Sequence, residues 1–533
     1  MLPPADPPGR PGPLRAIEAP HAADQGRWPE LPHAADLLPG AELPRATRQP
    51  ESSPYPAQPG SYAAEVTRGA QSPLRPVPGP AAASRQAAQN AVPPVPVPPV
   101  PVPPGPAVPG SPTDHGLAAA AQPGQLERAR RPGENTRSVH LPPPPQVPQR
   151  SLATPIYRTA AFAFSSSAEY ASVLADGTSG FSYSRIDNPT VEAFCSAVAS
   201  LEGVNLAYQV SAQAFASGMA AISTVFWAFC RAGTRVVAPA ALYGGTYSFL
   251  RNVAANFGVH TEFVDMTDLA QVHAALQPGT SIVYTETLAN PTVAVADLAA
   301  LSRLAHEAGA LLVVDSTLAP PVICRPLEHG ADLVLHSATK YFGGHSDVTG
   351  GVVTGHPDLI AAIRRARIDT GGSLGPDDSY LLRRGLETLP LRVRRQSATA
   401  QMFAAALARH PAVRTVYYPG LADHPGHEIA RRQFDAGPEG TRFGAIVTVA
   451  PYGGREAGQA FADRLRLASV ATSLGGTHTK VSHVASTTHR QLDDAALAAG
   501  GIDPASVRFS IGLEDGEDLL ADAMAALDSL GRR

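Results

Sequence analysis

The sequence predicts an α/β fold: a large domain on a mainly parallel sheet, then a smaller α/β carboxy-terminal domain, with a proline-rich tail ahead of both. Three observations predict it. From Ala216 to Gly355, apolar β-branched runs alternate with amphipathic helical stretches, the pattern of a parallel sheet covered on both faces. Beyond residue 390 a second, shorter set of helices and strands begins. Most of the 54 prolines lie before residue 150.

The tail, residues 1–132, contains "AVPPVPVPPVPVPPGPAVPG". Proline lacks the amide donor and fixes φ, so this stretch suits neither a helix nor a central strand. It is expected to be disordered or polyproline II. A solvated tail is one reading; a ligand for a proline-reading domain is another, because PxxP spacings are present. A start site set too far upstream is a third. Residues 133–195 read as an amino-terminal arm. "ATPIYRTAAFAF" is extended in character, and "NPTVEAFCSAVASLEG" has helical spacing behind its proline.

The large domain is expected over 196–390. "ASGMAAISTVFWAFC" is helical and "TRVVAPA" a strand. "GTYSFLRNVAANFG" is helical and "HTEFVDM" a strand. "DLAQVHAALQPG" is helical and "SIVYTET" a strand. "VADLAALSRLAHEAG" is helical and "ALLVVDST" a strand. "ADLVLHSAT" and "GGVVTG" follow. In such sheets the working residues lie at the carboxyl ends of the strands, which singles out Glu286, Asp315 and Ser337–Lys340. The carboxy-terminal domain is expected over 391–533, with "QSATAQMFAAALARH" helical, "FGAIVTVAP" and "SVRFSIGLE" as strands, and "DGEDLLADAMAALDSL" as a helix with acids in its first turn.

Composition narrows the function. A net charge of -4 and 17% charged residues give no reason to expect nucleic acid or membrane as partner. No apolar run approaches the ~20 residues of a membrane span, and "MLPPADPPGRPGPLR" has no signal-peptide core. Cys195, Cys230 and Cys324 form no CxxC pair, which suits a reducing compartment. The expectation is a soluble cytoplasmic protein.

Lys340 is one of two lysines in the chain, although Lys+Arg total 42. Unlike arginine, a desolvated lysine can lose its proton and attack a carbonyl. A lysine kept after a buried strand therefore suggests a Schiff base, against the alternative of an ordinary surface lysine. A pyridoxal phosphate site would need an acid at the pyridine nitrogen, a phosphate cradle, a ring stacker and a carboxylate clamp. Asp315 suits the first, or merely caps a turn. Ser217, Gly218 and Met219 open a helix whose free amides suit phosphate, or Ser217 is a plain N-cap. Ser337 and Thr339 add hydroxyls. Tyr243 stacks on the ring or packs in the core. Arg508 forks onto a carboxylate or forms a surface ion pair.

Together, "YSRIDNPT", "ASGMAAI", "LYGGTY", "TETLANP", "VVDST", "HSATKYFGGHSDVTGG", "SLGG" and "VRFSIGLEDGEDLL" resemble the cysteine/methionine-metabolism (transsulfuration) family of pyridoxal phosphate enzymes, over roughly residues 135–533. That family includes cystathionine γ-synthase, cystathionine γ-lyase, methionine γ-lyase and the O-acylhomoserine sulfhydrylases. The resemblance implies the aspartate-aminotransferase-like (type I) fold, with pyridoxal 5'-phosphate as cofactor and small amino acids as substrates. It implies that Lys340 anchors the cofactor and moves protons, and that Asp315 holds the pyridine nitrogen. Ser217, Gly218, Met219, Ser337 and Thr339 bind phosphate. Tyr243 stacks on the ring and assists the leaving group. Asn290, Ser473 and Arg508 hold the substrate carboxylate or orient the cofactor. Tyr183 and Arg185 reach the phosphate of a neighbouring subunit, in a homotetramer built from dimers.

The implied chemistry is γ-replacement or γ-elimination on a homoserine-derived or sulfur amino acid. Cystathionine γ-synthase or γ-lyase stands ahead of O-acylhomoserine sulfhydrylase and methionine γ-lyase, because methionine γ-lyases usually carry a cysteine where this chain has Gly245. Thr472 stands where cystathionine-processing members usually have a glutamate. "GGTHTKVSHVASTTHR" also departs from the family pattern, so His478, Lys480 and His483 give the substrate mouth an unusual polarity. No metal is expected, since His478, His483 and His489 match no common ligand spacing. An aminotransferase, and an inactive scaffold with a proline-rich interaction tail, are the readings from other classes.

Overall fold

Seven short strands make the main sheet of the computed structural model, which describes residues 151–176, 180–488, 490, 497 and 501–530. The tail expected over 1–132, and residues 133–150 of the arm, lie outside the described residues, as does His489. The strands are β1 (Ser211–Phe215), β2 (Arg235–Pro239), β3 (His260–Val264), β4 (Thr280–Glu286), β5 (Leu311–Asp315), β6 (Leu333–His336) and β7 (Gly351–Gly355). Their order is β1-β7-β6-β5-β4-β2-β3. From β6 to β3 every pairing is parallel. β7 runs antiparallel to both β6 and β1.

The Val/Leu runs become central strands because both faces are covered. Side chains alternate between faces along a strand. Val314, Val334 and Val352 therefore enter one apolar cluster, while Val313, Leu335 and Val353 enter the other. The second cluster is closed by the helix Gly218–Phe229, whose Ile222, Val225 and Phe226 are buried there. Caps define the helix starts: Ser217 accepts the N–H of Ala220, and Asp297 accepts that of Ala300 for the helix Leu298–Glu307.

Two segments show how far pairing decides a strand. "SAQAF" gave no strand signal, yet it forms β1: it has no β-branched residue, and its extended state is imposed by the ladder to β7 and by burial of Ala214 and Phe215. "ATPIYRTAAFAF" forms only one bridge, Ala161 to Tyr183, because it lies at the surface without a second strand to complete a ladder.

The second sheet has five strands: β8 (Val413–Tyr417), β11 (Ile446–Pro451), β12 (Ser469–Val470), β13 (Lys480–His483) and β14 (Val507–Ser510), ordered β12-β13-β14-β11-β8. A two-residue ribbon, β9 (Ala436–Gly437) with β10 (Gly440–Thr441), stands apart. On β14, Phe509 packs against Phe403 and Phe461. Its neighbour Arg508 must then point the other way, towards the ends of the main-sheet strands. Among the described residues no helix is long and apolar enough to cross a membrane.

Candidate active site

Parallel strands present their carboxyl ends along one edge. β4 ends at Glu286 and β5 at Asp315, and the two are register partners. The segment after β6 carries Lys340, whose N–H donates to Ser337 O at 3.1 Å. A cavity of about 630 Å³ opens at this edge. Its lining brings together the residues expected to hold cofactor and substrate, Ser217, Gly218, Met219, Tyr243, Asn290, Asp315, Ser337, Thr339, Lys340, Ser473 and Arg508, with Glu286, Gly245 and Thr472, also singled out from the sequence. Glu286, Asp315 and Arg508 come from the two sheets, Gly218 and Met219 from the helix Gly218–Phe229, Gly245 from the short helix Gly244–Ser248, and the others from the segments that join such elements.

Lys340 is held below the ordinary lysine range, first by burial, then by the charges of Arg508 and Lys480, against an opposing pull from Asp315. Asp315 accepts the N–H of Thr317 at 2.9 Å and the hydroxyl of Tyr284 at 3.2 Å. Burial raises its carboxyl, while Thr317, His336 and Tyr284 pull against that rise. His336 itself is buried with its Nε2 2.6 Å from Glu202.

Ser217 and the first turn of its helix face Ser337. Gly218 is there for space: a Cβ on it would lie 2.8 Å from the Ser337 Cβ. The Ser337 amide donates to Thr317 Oγ1 at 2.8 Å, which holds this corner in place. Thr339 is less available than the sequence suggests. Its hydroxyl donates to Gly350 O at 3.2 Å and accepts from Gly350 N at 3.0 Å, so its proton faces the backbone.

Arg508 is 4% exposed. Nη1 donates to Asn290 Oδ1 at 3.0 Å and Nη2 to Ser473 O at 3.2 Å. Its Nε is buried without a partner, and no carboxylate pairs with it among the described residues. Burial pulls the guanidinium down to about 10. Ser473 is held at φ 75, a left-handed conformation uncommon outside glycine. A buried cation that lines the cavity and has no carboxylate of its own suits an incoming carboxylate.

Tyr243 is 48% exposed at the cavity, and its amide donates to Glu286 Oε1 at 2.9 Å. Tyr183 and Arg185 do not join the cavity of their own chain. Arg185 donates to Ile368 O at 2.6 Å and lies 5.8 Å from the Tyr183 ring centroid. Sequence reading passed over Tyr284 and Thr317, which hold Asp315 and Ser337. The hydroxyl directly after "VVDS" was the available signal for Thr317; Tyr284 gave none, because it reads as strand core. Both ring nitrogens of His483 are engaged, with Ser486 Oγ and Pro504 O. No metal-binding cluster occurs among the described residues.

These groups fit pyridoxal phosphate. Lys340 would hold its aldehyde, Asp315 its ring nitrogen, Tyr243 its ring face, and the helix start with Ser337 its phosphate. Arg508 lines the cavity without a carboxylate partner among the described residues, which leaves its guanidinium for the carboxylate of an amino acid.

Comparison with known proteins agrees. Residues 135–528 match the family of Cys/Met metabolism PLP-dependent enzymes. The chain is 42% identical over 398 residues to L-methionine gamma-lyase of Pseudomonas putida, covering 74% of this chain and 97% of the relative. It is 42% identical over 352 residues to cystathionine gamma-lyase of Bacillus subtilis, covering 66% and 89%. The crystal structure of cystathionine gamma-lyase from Lactobacillus plantarum complexed with L-serine superposes with a TM-score of 0.65 at 36% identity, covering 71% of this chain and 93% of that one. A cavity whose residues fit a pyridine aldehyde and an amino acid, on a chain similar in sequence and fold to these enzymes, leads to one conclusion: this chain belongs to the PLP-dependent enzymes of Cys/Met metabolism.

Proposed function

We propose that this enzyme breaks the Cγ–heteroatom bond of a sulfur or homoserine-derived amino acid, with cystathionine-type γ-elimination as its main reaction. The observation that carries the reading is Lys340: a lysine whose amine is held below its ordinary range, in one cavity with Asp315 and a buried Arg508 that lacks a carboxylate partner.

When bound, pyridoxal phosphate supplies an aldehyde for the substrate amine and a ring that stores the charge left after Cα loses its proton. The chain's residues do the rest. Arg508, oriented by Asn290 and the Ser473 carbonyl, binds the substrate carboxylate and so fixes which bond at Cα faces Lys340. Nζ of Lys340 takes the Cα proton, gives it up, and as a free amine again takes a Cβ proton. Asp315, kept in place by Thr317 and Tyr284, keeps the ring nitrogen protonated. Tyr243 covers the ring and delivers a proton to the leaving group.

Lys480, although it does not line the cavity, is the cation on which we base a preference for a substrate with a distal carboxylate over methionine. It donates to Ser346 Oγ at 2.8 Å and is near enough to Lys340 to depress its amine. The same cation favours a second reading, γ-replacement on an acylated homoserine whose acyl group ends in a carboxylate. The proposal extends to a homotetramer built from dimers, since Tyr183 and Arg185 stand outside their own cavity, and to the cytoplasm, since all three cysteines are free. It also takes residues 133–195, 196–390 and 391–533 as arm, large domain and carboxy-terminal domain.

The test is product analysis with cystathionine, methionine and acylated homoserines, with and without cysteine or sulfide. Cystathionine is expected to yield cysteine, ammonia and a 2-oxo acid without added thiol. Turnover of methionine alone would overturn the choice.

A further inference from the structure

Glu286 is used by none of the steps above, yet its placement is specific. It closes β4 and faces the same side of the sheet as its register partner Asp315, and it lines the Lys340 cavity while only 6% exposed. No cation pairs with it among the described residues. Two carboxyls at matching positions on adjacent strands, out of water and with no ion pair to either among the described residues, are a costly arrangement that an apolar residue at Glu286 would avoid. Burial first, and Asp315 second, push Glu286 up to about 8, against the pull of the two amides it holds.

Those amides show what the carboxyl does. Oε1 accepts the N–H of Tyr243 at 2.9 Å, and Oε2 accepts the N–H of Asn290 at 3.3 Å. Tyr243 belongs to the segment between β2 and β3, and Asn290 to the segment after β4. The first offers a side chain to the cofactor ring; the second orients Arg508 through its Oδ1.

We propose that Glu286 is a positioning residue: one carboxyl ties the Tyr243 segment to the Asn290 segment and so sets the spacing between the ring contact and the carboxylate clamp. This rests on the roles assigned above to Tyr243, Asn290 and Arg508. A carboxyl suits the task because both of its oxygens can accept: the ionised form presents two acceptors, and the protonated form can turn its O–H away from the amide it meets. A glutamine of the same size has one acceptor and would turn an N–H towards an amide N–H.

The test uses Glu286→Gln and Glu286→Asp in the full chain. kcat and KM are measured separately, the pyridoxal phosphate dissociation constant by equilibrium dialysis, and Tm on the cofactor-free protein. Glutamine preserves volume and loses one tie; aspartate keeps both acceptors but is too short to span both segments. Each is expected to raise KM and the cofactor dissociation constant by about tenfold, the effect of one lost buried hydrogen bond. The cofactor-free Tm should hold in the glutamine variant, and the visible circular dichroism of the bound cofactor should shift in both. Parent-like KM, cofactor affinity and dichroism in the glutamine variant overturn the proposal, as does a loss confined to Tm. If glutamine prevents folding, the aspartate variant decides by the same readouts. Borohydride labelling of the parent separates the two levels. Absence of label on Lys340 removes the underlying site reading, whereas label on Lys340 with a parent-like glutamine variant removes only the positioning role.

Discussion

Replacing Arg508 by alanine separates substrate binding from stability. The substitution removes the donors to Asn290 Oδ1 and Ser473 O, and with them the buried cation left open for a carboxylate. Truncating one partner of a buried, hydrogen-bonded charge pair costs about 2–5 kcal/mol. At 1.36 kcal/mol per factor of ten, kcat/KM should fall by roughly 30-fold to several thousandfold. Stability should move differently. Burial pulls the guanidinium down to about 10, so folding disfavours its charged form, and below that pH the free protein carries a penalty that alanine removes. The cofactor-free Tm should therefore hold or rise. Arg508→Lys restores a charge without the planar fork and should recover little activity. The assay is steady-state kinetics on the best substrate, with a melting curve on the same preparation. Parent-like kcat/KM in Arg508→Ala, or a Tm that falls in step with activity, would refute the clamp.

Lys340 and Lys480 are the two lysines in the chain, so borohydride reduction with pyridoxal phosphate and peptide mapping should label Lys340; label on Lys480 contradicts the site. Lys340→Ala and Lys340→Arg should both abolish turnover, since a guanidinium stays protonated at working pH. Lys480→Ala removes a like charge that lowers the Lys340 amine. The amine's pKa should rise, and the pH at which the cofactor-free protein takes up pyridoxal phosphate fastest should move upward; an unmoved profile means Lys480 does not act on Lys340. At Gly245 a Cβ would lie 2.6 Å from Tyr243 Cε1 and 3.0 Å from Met219 Sδ. Gly245→Cys should displace the Tyr243 ring and lower kcat/KM on cystathionine by up to roughly a hundredfold. Unchanged kinetics and cofactor absorbance would show that the ring has room.

Much of the architecture could be read locally. "LLVVD" and "LVLH" predict strands because continuous apolar runs of that length need cover on both faces, and β5 and β6 have it. β1 could not be read, because "SAQAF" has only Phe215 to favour a strand and is held extended by its pairing with β7. Thr339 was legible as a hydroxyl beside the lysine, but not its commitment to Gly350, which depends on how the chain returns eleven residues later.

The sequence by itself determined the chemistry available: a lysine kept almost alone, an acid at the end of an apolar run, a serine opening a helix, and motifs that together mark the family. Residue type and strand-end position suffice there, because proton loss, charge and helix-start geometry are local properties. Only the tertiary structure decided the partners. Arg508 meets Asn290 across 218 residues of chain, and Glu286 joins amides 43 residues behind and four ahead of it. Such pairings follow from strand order and from which face each side chain takes, and burial then decides which charges are left open for a ligand.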